Sequence, residues 1–137
     1  MKTLLMVCMF LVLASGVVNA ADKQKSSEKD IEKLLIEGSK KINTQLPTMV
    51  DADTRLDTTM VIGNQMHYKY TMINASAKDI DKKATTKELK SMLVANQCGT
   101  DNMLKLLRMG VSYHYMYQDK NGNIISTIKV SKKDCGL

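Results

Sequence analysis

The apolar and polar positions divide the chain into a short apolar run, a helical stripe, two alternating segments, a broken helical stretch and two more alternating segments. Ile31, Leu34, Leu35, Gly38 and Ile42 recur at helical spacing. Ser27 and Asp30 precede them as a capping hydroxyl and a carboxylate suited to the positive end of the helix dipole, and Lys40 and Lys41 suit the negative end. This predicts a helix over residues 27–43, a frayed polar end over 21–25, close sheet packing at Gly38, and a stop at Leu46-Pro47. From Thr54 to Ile62 the period changes to two, with Leu56, Thr58, Met60 and Ile62 on one face. Gly63-Asn64 reads as a turn, and Met66, Tyr68, Tyr70 and Met72 then alternate with His67, Lys69 and Thr71, which completes a hairpin.

Residues 74–83 are polar and read as a loop. Thr85 and Glu88 form a capping-box pattern ahead of Leu89, Met92 and Leu93. Cys98-Gly99 interrupts, Thr100 or Asp101 opens a second segment with Met103, Leu104 and Leu107, and Gly110 closes it. Val111, Tyr113, Tyr115 and Tyr117 alternate with Ser112, His114 and Met116. Asn121-Gly122 marks a tight turn, and Ile124, Ser126, Ile128 and Val130 form one face of the last segment. The order is helix, hairpin, helix pair, hairpin. The simplest packing is an α+β domain with a four-stranded antiparallel sheet on one long N-terminal helix and a shorter helical segment. In outline this is similar to cystatin-like sandwiches, and the resemblance extends to architecture alone. The first hairpin turn reads Val61-Ile62-Gly63-Asn64-Gln65 and the chain has no tryptophan, so the cystatin inhibitory loops are missing.

The apolar run Leu4–Leu13 follows Lys2 and precedes Val18-Asn19-Ala20, the pattern of a signal peptide cut after Ala20. It is shorter than the about 20 apolar residues a membrane span needs, and no cysteine follows the small residues Ala14-Ser15-Gly16, so neither a retained span nor a lipid anchor is expected. Cleavage leaves a single exported domain, residues 21–137, periplasmic or secreted. It removes Lys2, taking the net charge from +6 to +5, and removes Cys8 from the three cysteines. Cys98 and Cys135 then form the one possible pair, and an oxidising compartment favours a disulfide between them.

Candidate chemistry is sparse. The five tyrosines lie on alternating positions of two segments: Tyr68 and Tyr70, then Tyr113, Tyr115 and Tyr117. Their faces either cover the helices or stand open. If open, they are the best partner surface in the chain, with Tyr115 and Tyr117 nearest a hairpin tip. His67 and His114 sit near Met66 and Met116, a soft-ligand set for Cu(I) if the strands are neighbours, although two ordinary sheet histidines and two core methionines explain the same residues. Asp51, Asp53, Arg55 and Asp57 form a charged cluster that reads either as an acid/base pair or as loop solvation with a local ion pair. Asn74-Ala75-Ser76 matches a glycosylation acceptor, which matters only in a eukaryotic secretory pathway.

No motif for nucleophilic catalysis, phosphate cradling or metal hydrolysis occurs in the sequence, and no cofactor is expected. The lysines are scattered without the aromatic interleaving of nucleic-acid binders, so nucleic acid is not expected as a partner. The basic balance suits an acidic partner or an anionic envelope surface better. The expectation is an exported binding protein whose partner is another envelope or secreted protein: an inhibitor, an immunity protein or an envelope-assembly accessory. The alternative is a small ligand-binding protein or hydrolase with a pocket between helices and sheet.

Overall fold

Helical periodicity after the N-terminal apolar run produces one long helix, α1, Ala20–Asn43. In the computed structural model, residues 20–137 are described, with side chains placed from Ser27 onward; the signal peptide expected over 1–20 therefore lies, but for its last residue, outside the described residues. α1 begins before the Ser27 cap because Ala21–Lys25 is rich in good helix formers and contains nothing to stop a helix. Ile31, Leu35 and Ser39 are its buried positions, spaced by one turn, while Leu34 and Gly38 face outward. The close packing expected at Gly38 does not occur, since a Cβ built there would meet nothing within 4 Å.

The chain continues through β1 (Thr48–Met49), β2 (Thr54–Ile62) and β3 (Gln65–Met72) into α2 (Lys82–Gly99) and α3 (Asp101–Arg108). It ends with β4 (Ser112–Asp119), β5 (Ile124–Val130) and a 3-10 turn, Lys132–Cys135. The cap of α2 is Asp81, whose carboxylate accepts the Ala84 N–H at 3.0 Å; it starts the helix before the Thr85–Glu88 pattern. Gly110, at φ 93°, follows the C-cap Met109 as expected of a glycine past a helix end.

The expected four-stranded sheet has five strands, in the order β1-β2-β3-β4-β5. The two-residue β1 pairs with β2, an addition too short to show a period of two. The β2–β3 and β4–β5 hairpins form as expected, but β3 and β4 pair in parallel, so the sheet is mixed. Parallel neighbours need a long crossover, and α2 with α3 supplies it. The centre of the sheet thus departs from the cystatin-like outline.

A bulge sets the β2 register. Leu56 pairs with Tyr70 and Thr58 with Lys69, which leaves Asp57 as the extra residue. The bulge splits the predicted face: Leu56 and Thr59 are buried beneath the helices, while Thr58, Met60 and Ile62 turn to the opposite side. Thr59 becomes the anchor of α1. Its backbone N–H donates to Asn43 Oδ1 at 2.8 Å, its carbonyl accepts from Asn43 Nδ2 at 2.9 Å, and its hydroxyl meets Ser39 Oγ at 2.7 Å. A second register shift, between Tyr117 and Gln118, allows both Ile125 and Ser126 to be buried in β5.

α1 lies mainly over β2 and α2 over β5, both on one side of the sheet. The core between them holds Ile31, Leu35, Met66, Leu93, Leu107, Val111, Ile128 and Val130 together with tyrosines. Cys98 and Cys135 are joined in a disulfide, with Cα atoms 5.5 Å apart, which fastens the end of α2 to the 3-10 turn. The mutual contacts of Ser131 and Asp134 cap that turn, and Lys90 of α2 pairs with Asp134 at 2.8 Å.

Candidate functional site

Parallel, in-register pairing of β3 with β4 places like residues side by side: Tyr68 by Tyr115, Tyr70 by Tyr117 and His67 by His114. Because side chains alternate, the tyrosines stack on one face and the histidines on the other. Tyr68 stacks on Tyr115 with centroids 5.2 Å apart, and Tyr70 on Tyr117 at 4.9 Å. This is offset stacking of the kind that adds to area burial.

The tyrosine face lies under the helices. Tyr115 is 2% exposed and Tyr117 3%; Tyr113 is equally buried, and Tyr68 and Tyr70 are partly so. The open partner surface considered for Tyr115, Tyr117, Tyr113, Tyr68 and Tyr70 is therefore corrected to a core ladder. The chain lacks phenylalanine outside the N-terminal apolar run, and these rings supply the bulk that fills the space between two helices set over opposite parts of the sheet. Burial pushes the Tyr70 and Tyr113 phenols up to about 12. Tyr68, Tyr115 and Tyr117 are raised by burial too, with the neighbouring phenols adding to the effect. Phenols held neutral in this way cannot serve as bases near neutral pH. Gln97 donates from Nε2 to the Tyr115 hydroxyl; the Tyr113 hydroxyl has no partner among the described residues.

One end of the ladder is not fully covered. Tyr70 and Tyr117 floor a groove of about 560 Å³ between α2 and the β1–β2 loop, and Met72, Leu89 and Leu93 line it further. Met92, 56% exposed, stands on one wall and Val50 on the other. The loop wall is held in place by its own carboxylates. Asp51 Oδ1 accepts the N–H groups of Asp53 at 2.8 Å and Thr54 at 2.7 Å, and Asn74 Nδ2 donates to Asp53 Oδ1 at 2.6 Å. The Asp53 N–H bond leads the effects that hold the Asp51 carboxyl below the usual range. Asp51, Asp53 and Glu88 make the groove margin acidic. The cluster singled out from sequence is split: Asp51 and Asp53 stay at the groove margin, while Asp57 is turned to the other face of the sheet. There it pairs with Arg55 at 2.5 Å and accepts from the Thr71 hydroxyl at 2.5 Å. The sequence offered a pocket between helices and sheet without locating it, because the groove walls come from segments far apart in the chain; Met92, read there as part of the apolar stripe, is in fact exposed on one wall.

The helix-free face carries the histidines. His67 and His114 stack with centroids 4.5 Å apart and rings 19° from parallel. They line a cavity of about 210 Å³ with Met60, Met116, Thr58, Lys69 and Thr127. Burial lowers both imidazole pKa values, and for His114 the charges of His67 and Lys129 act in the same direction, so both rings favour the neutral form. The set considered from sequence is thus corrected in one member. His67, His114 and Met116 share the cavity, while Met66, one residue before His67, points to the other face and is buried in the core. Met60 takes its place, brought to this face by the Asp57 bulge.

Among the described residues, no helix is long and apolar enough to cross a membrane. No family model matches the chain, and no curated protein matches it. Solved structures do share its fold. A candidate secreted protein from Pseudomonas aeruginosa superposes with a TM-score of 0.69 at 18% identity, over 80% of this chain and 96% of that one. EpsS, a pilotin of the Vibrio vulnificus type 2 secretion system, gives 0.69 at 17% identity, over 81% and 96%. AspS, a type II secretion system pilotin from Vibrio cholerae, gives 0.65 at 15% identity, over 81% and 97%. At these identities the likeness establishes a common fold: an α+β domain with a five-stranded, mostly antiparallel sheet.

Proposed function

We propose that this chain is an exported, disulfide-stapled accessory protein of envelope assembly, and that its groove between α2 and the β1–β2 loop holds an amphipathic helical segment of another envelope protein. The observation that carries this reading is the groove itself, with apolar walls exposed above a floor of two tyrosines. Exposed apolar side chains gathered in a concavity mark interaction sites, and methionine and tyrosine adapt well to a partner surface. A helix laid into such a groove offers apolar anchors at one-turn spacing to the floor and its polar face to water.

The fold shared with two type 2 secretion system pilotins supports the assembly role over the inhibitor and immunity readings. The N-terminal apolar run ending at Val18-Asn19-Ala20 supports export. The acidic margin at Asp51, Asp53 and Glu88 favours a segment with basic residues flanking its apolar face. The basic balance of the exported chain, +5, which suggested an acidic partner, comes from lysines that do not line the groove. The pocket-enzyme alternative finds less support, because the two groove phenols stay protonated and no histidine reaches them.

A photoreactive amino acid at position 92, compared with one at position 60 on the opposite face, tests this in the native host. Position 92 should crosslink one envelope protein that position 60 does not, and Met92→Asp should abolish its recovery in affinity capture. Equal crosslinking from both positions, or undiminished capture by Met92→Asp, would overturn the groove assignment. Met92 is exposed, so the substitution leaves the core intact.

A further inference from the structure

We propose that the helix-free face of the sheet binds a soft monovalent metal ion, Cu(I), through His67, His114, Met60 and Met116. Two pairings bring these residues together. His67 and His114 are parallel neighbours, and Met60 is the antiparallel partner of His67. Met116 follows His114 by two residues, on the same face of β4. All four line the same cavity.

Both rings engage a neighbour through Nε2. His67 Nε2 lies 3.0 Å from Gln65 Oε1, an acceptor, so Nε2 carries the proton and Nδ1 the lone pair. His114 Nε2 lies 3.0 Å from the Ser112 hydroxyl, which accepts from it in the tautomer that leaves Nδ1 free. Among the described residues no hydrogen bond occupies either Nδ1. A metal-ligating imidazole usually has this arrangement, with one nitrogen donating to an outer partner and the other free for the ion. The rings stack with centroids 4.5 Å apart, which sets the two imidazoles side by side; because ring lone pairs lie in the ring plane, the rings rotate out of the stack for both Nδ1 atoms to face one ion.

The donor set selects the ion. Two imidazoles and two thioethers are soft, neutral ligands that suit Cu(I), and thioethers are poor ligands for hard cations. The cavity lining holds no carboxylate and includes Lys69, so a doubly charged ion would meet uncompensated positive charge where a singly charged one meets least. Met60, 55% exposed, and the open cavity give the ion a path in.

Anaerobic titration of the mature protein with Cu(I) against a chromogenic Cu(I) chelator tests this. The wild type should withhold one equivalent per chain from the chelator. Met60→Leu with Met116→Leu preserves volume and should weaken retention at least about 10-fold, and Gln65→Ala, an outer partner of His67, should weaken it about 10–100-fold. Met109→Leu, an exposed methionine outside the cavity, should leave copper retention unchanged. X-ray absorption of the loaded protein should show both nitrogen and sulfur scatterers, and Cu(I) should raise the melting temperature of the wild type but not of His67→Gln with His114→Gln. Failure to withhold copper, retention unchanged in the methionine pair, or a sulfur-only spectrum would each overturn the site. The methionine pair keeps the test decisive even if the histidine pair folds poorly.

Discussion

Asp119 is 1% exposed and still charged, and its neighbours explain how. Its carboxylate accepts the N–H groups of Ala77 at 2.9 Å, Asn121 at 2.9 Å and Asn123 at 2.8 Å, and the Asn123 amide at 3.1 Å. These bonds, led by the one from Ala77, hold the carboxyl far below the usual range. It thereby ties the β4–β5 turn to the loop between β3 and α2. Because the folded state binds the proton less readily than the unfolded chain, this stabilisation is complete above the unfolded value of about 3.9 and fades as pH falls below it. Asp119→Asn turns an amide N–H toward N–H donors, as a protonated carboxyl does. It should therefore lower stability at pH 7, and its deficit against the wild type should shrink at pH 3, as measured by urea unfolding. A deficit equal at both values would show that the charge contributes nothing. In the sequence, Asp119 was legible only as part of a turn; its bond to Ala77 crosses 42 positions and had no local signal.

Gly38 shows where periodicity misleads at the scale of an element. It falls within the apolar stripe of α1, yet Ser39 takes the buried position one turn after Leu35. The hydroxyl fits because Thr59 waits on β2 to bond it, and Thr59 is turned inward only by the bulge at Asp57. Gly38 is exposed with open space about its Cα, so Gly38→Ala should stabilise the protein by about 0.5–1 kcal/mol, read as a rise in the urea midpoint at unchanged slope. A loss of stability would show that the glycine is needed for packing after all. The same bulge moves Met60 to the histidine face, so a single extra residue decides the composition of two surfaces.

Over the whole molecule, the parallel pairing of β3 with β4 and the disulfide act on the same segment. α2 and α3 form the crossover that the parallel pairing requires, and the Cys98–Cys135 bridge, with a sequence separation of 37, closes a loop that includes α3, β4 and β5. Closing a loop of this length contributes about 4 kcal/mol in chain-entropy terms, with measured effects of about 2–4 kcal/mol typical. Replacing both cysteines by serine should lower unfolding free energy by that amount, and reductant should then leave the variant unaffected while bringing the wild type down towards it. Unchanged stability in the double variant would mean that the bridge does not constrain the unfolded chain.

The sequence by itself determined the helices, the two hairpins and the sharing of one face by each set of tyrosines, because these follow from periods of 3.6 and two, and the expected loss of Cys8 left Cys98 with Cys135 as the one pairing. It left open which sheet face the helices cover, the direction of the central strand pair, and the partner of each histidine. Those depend on where a crossover returns the chain and on one-residue bulges that reverse inside and outside, and neither leaves a periodic trace. The tyrosines accordingly became core, and the groove and the histidine–methionine face were formed by residues that meet only after the chain has folded.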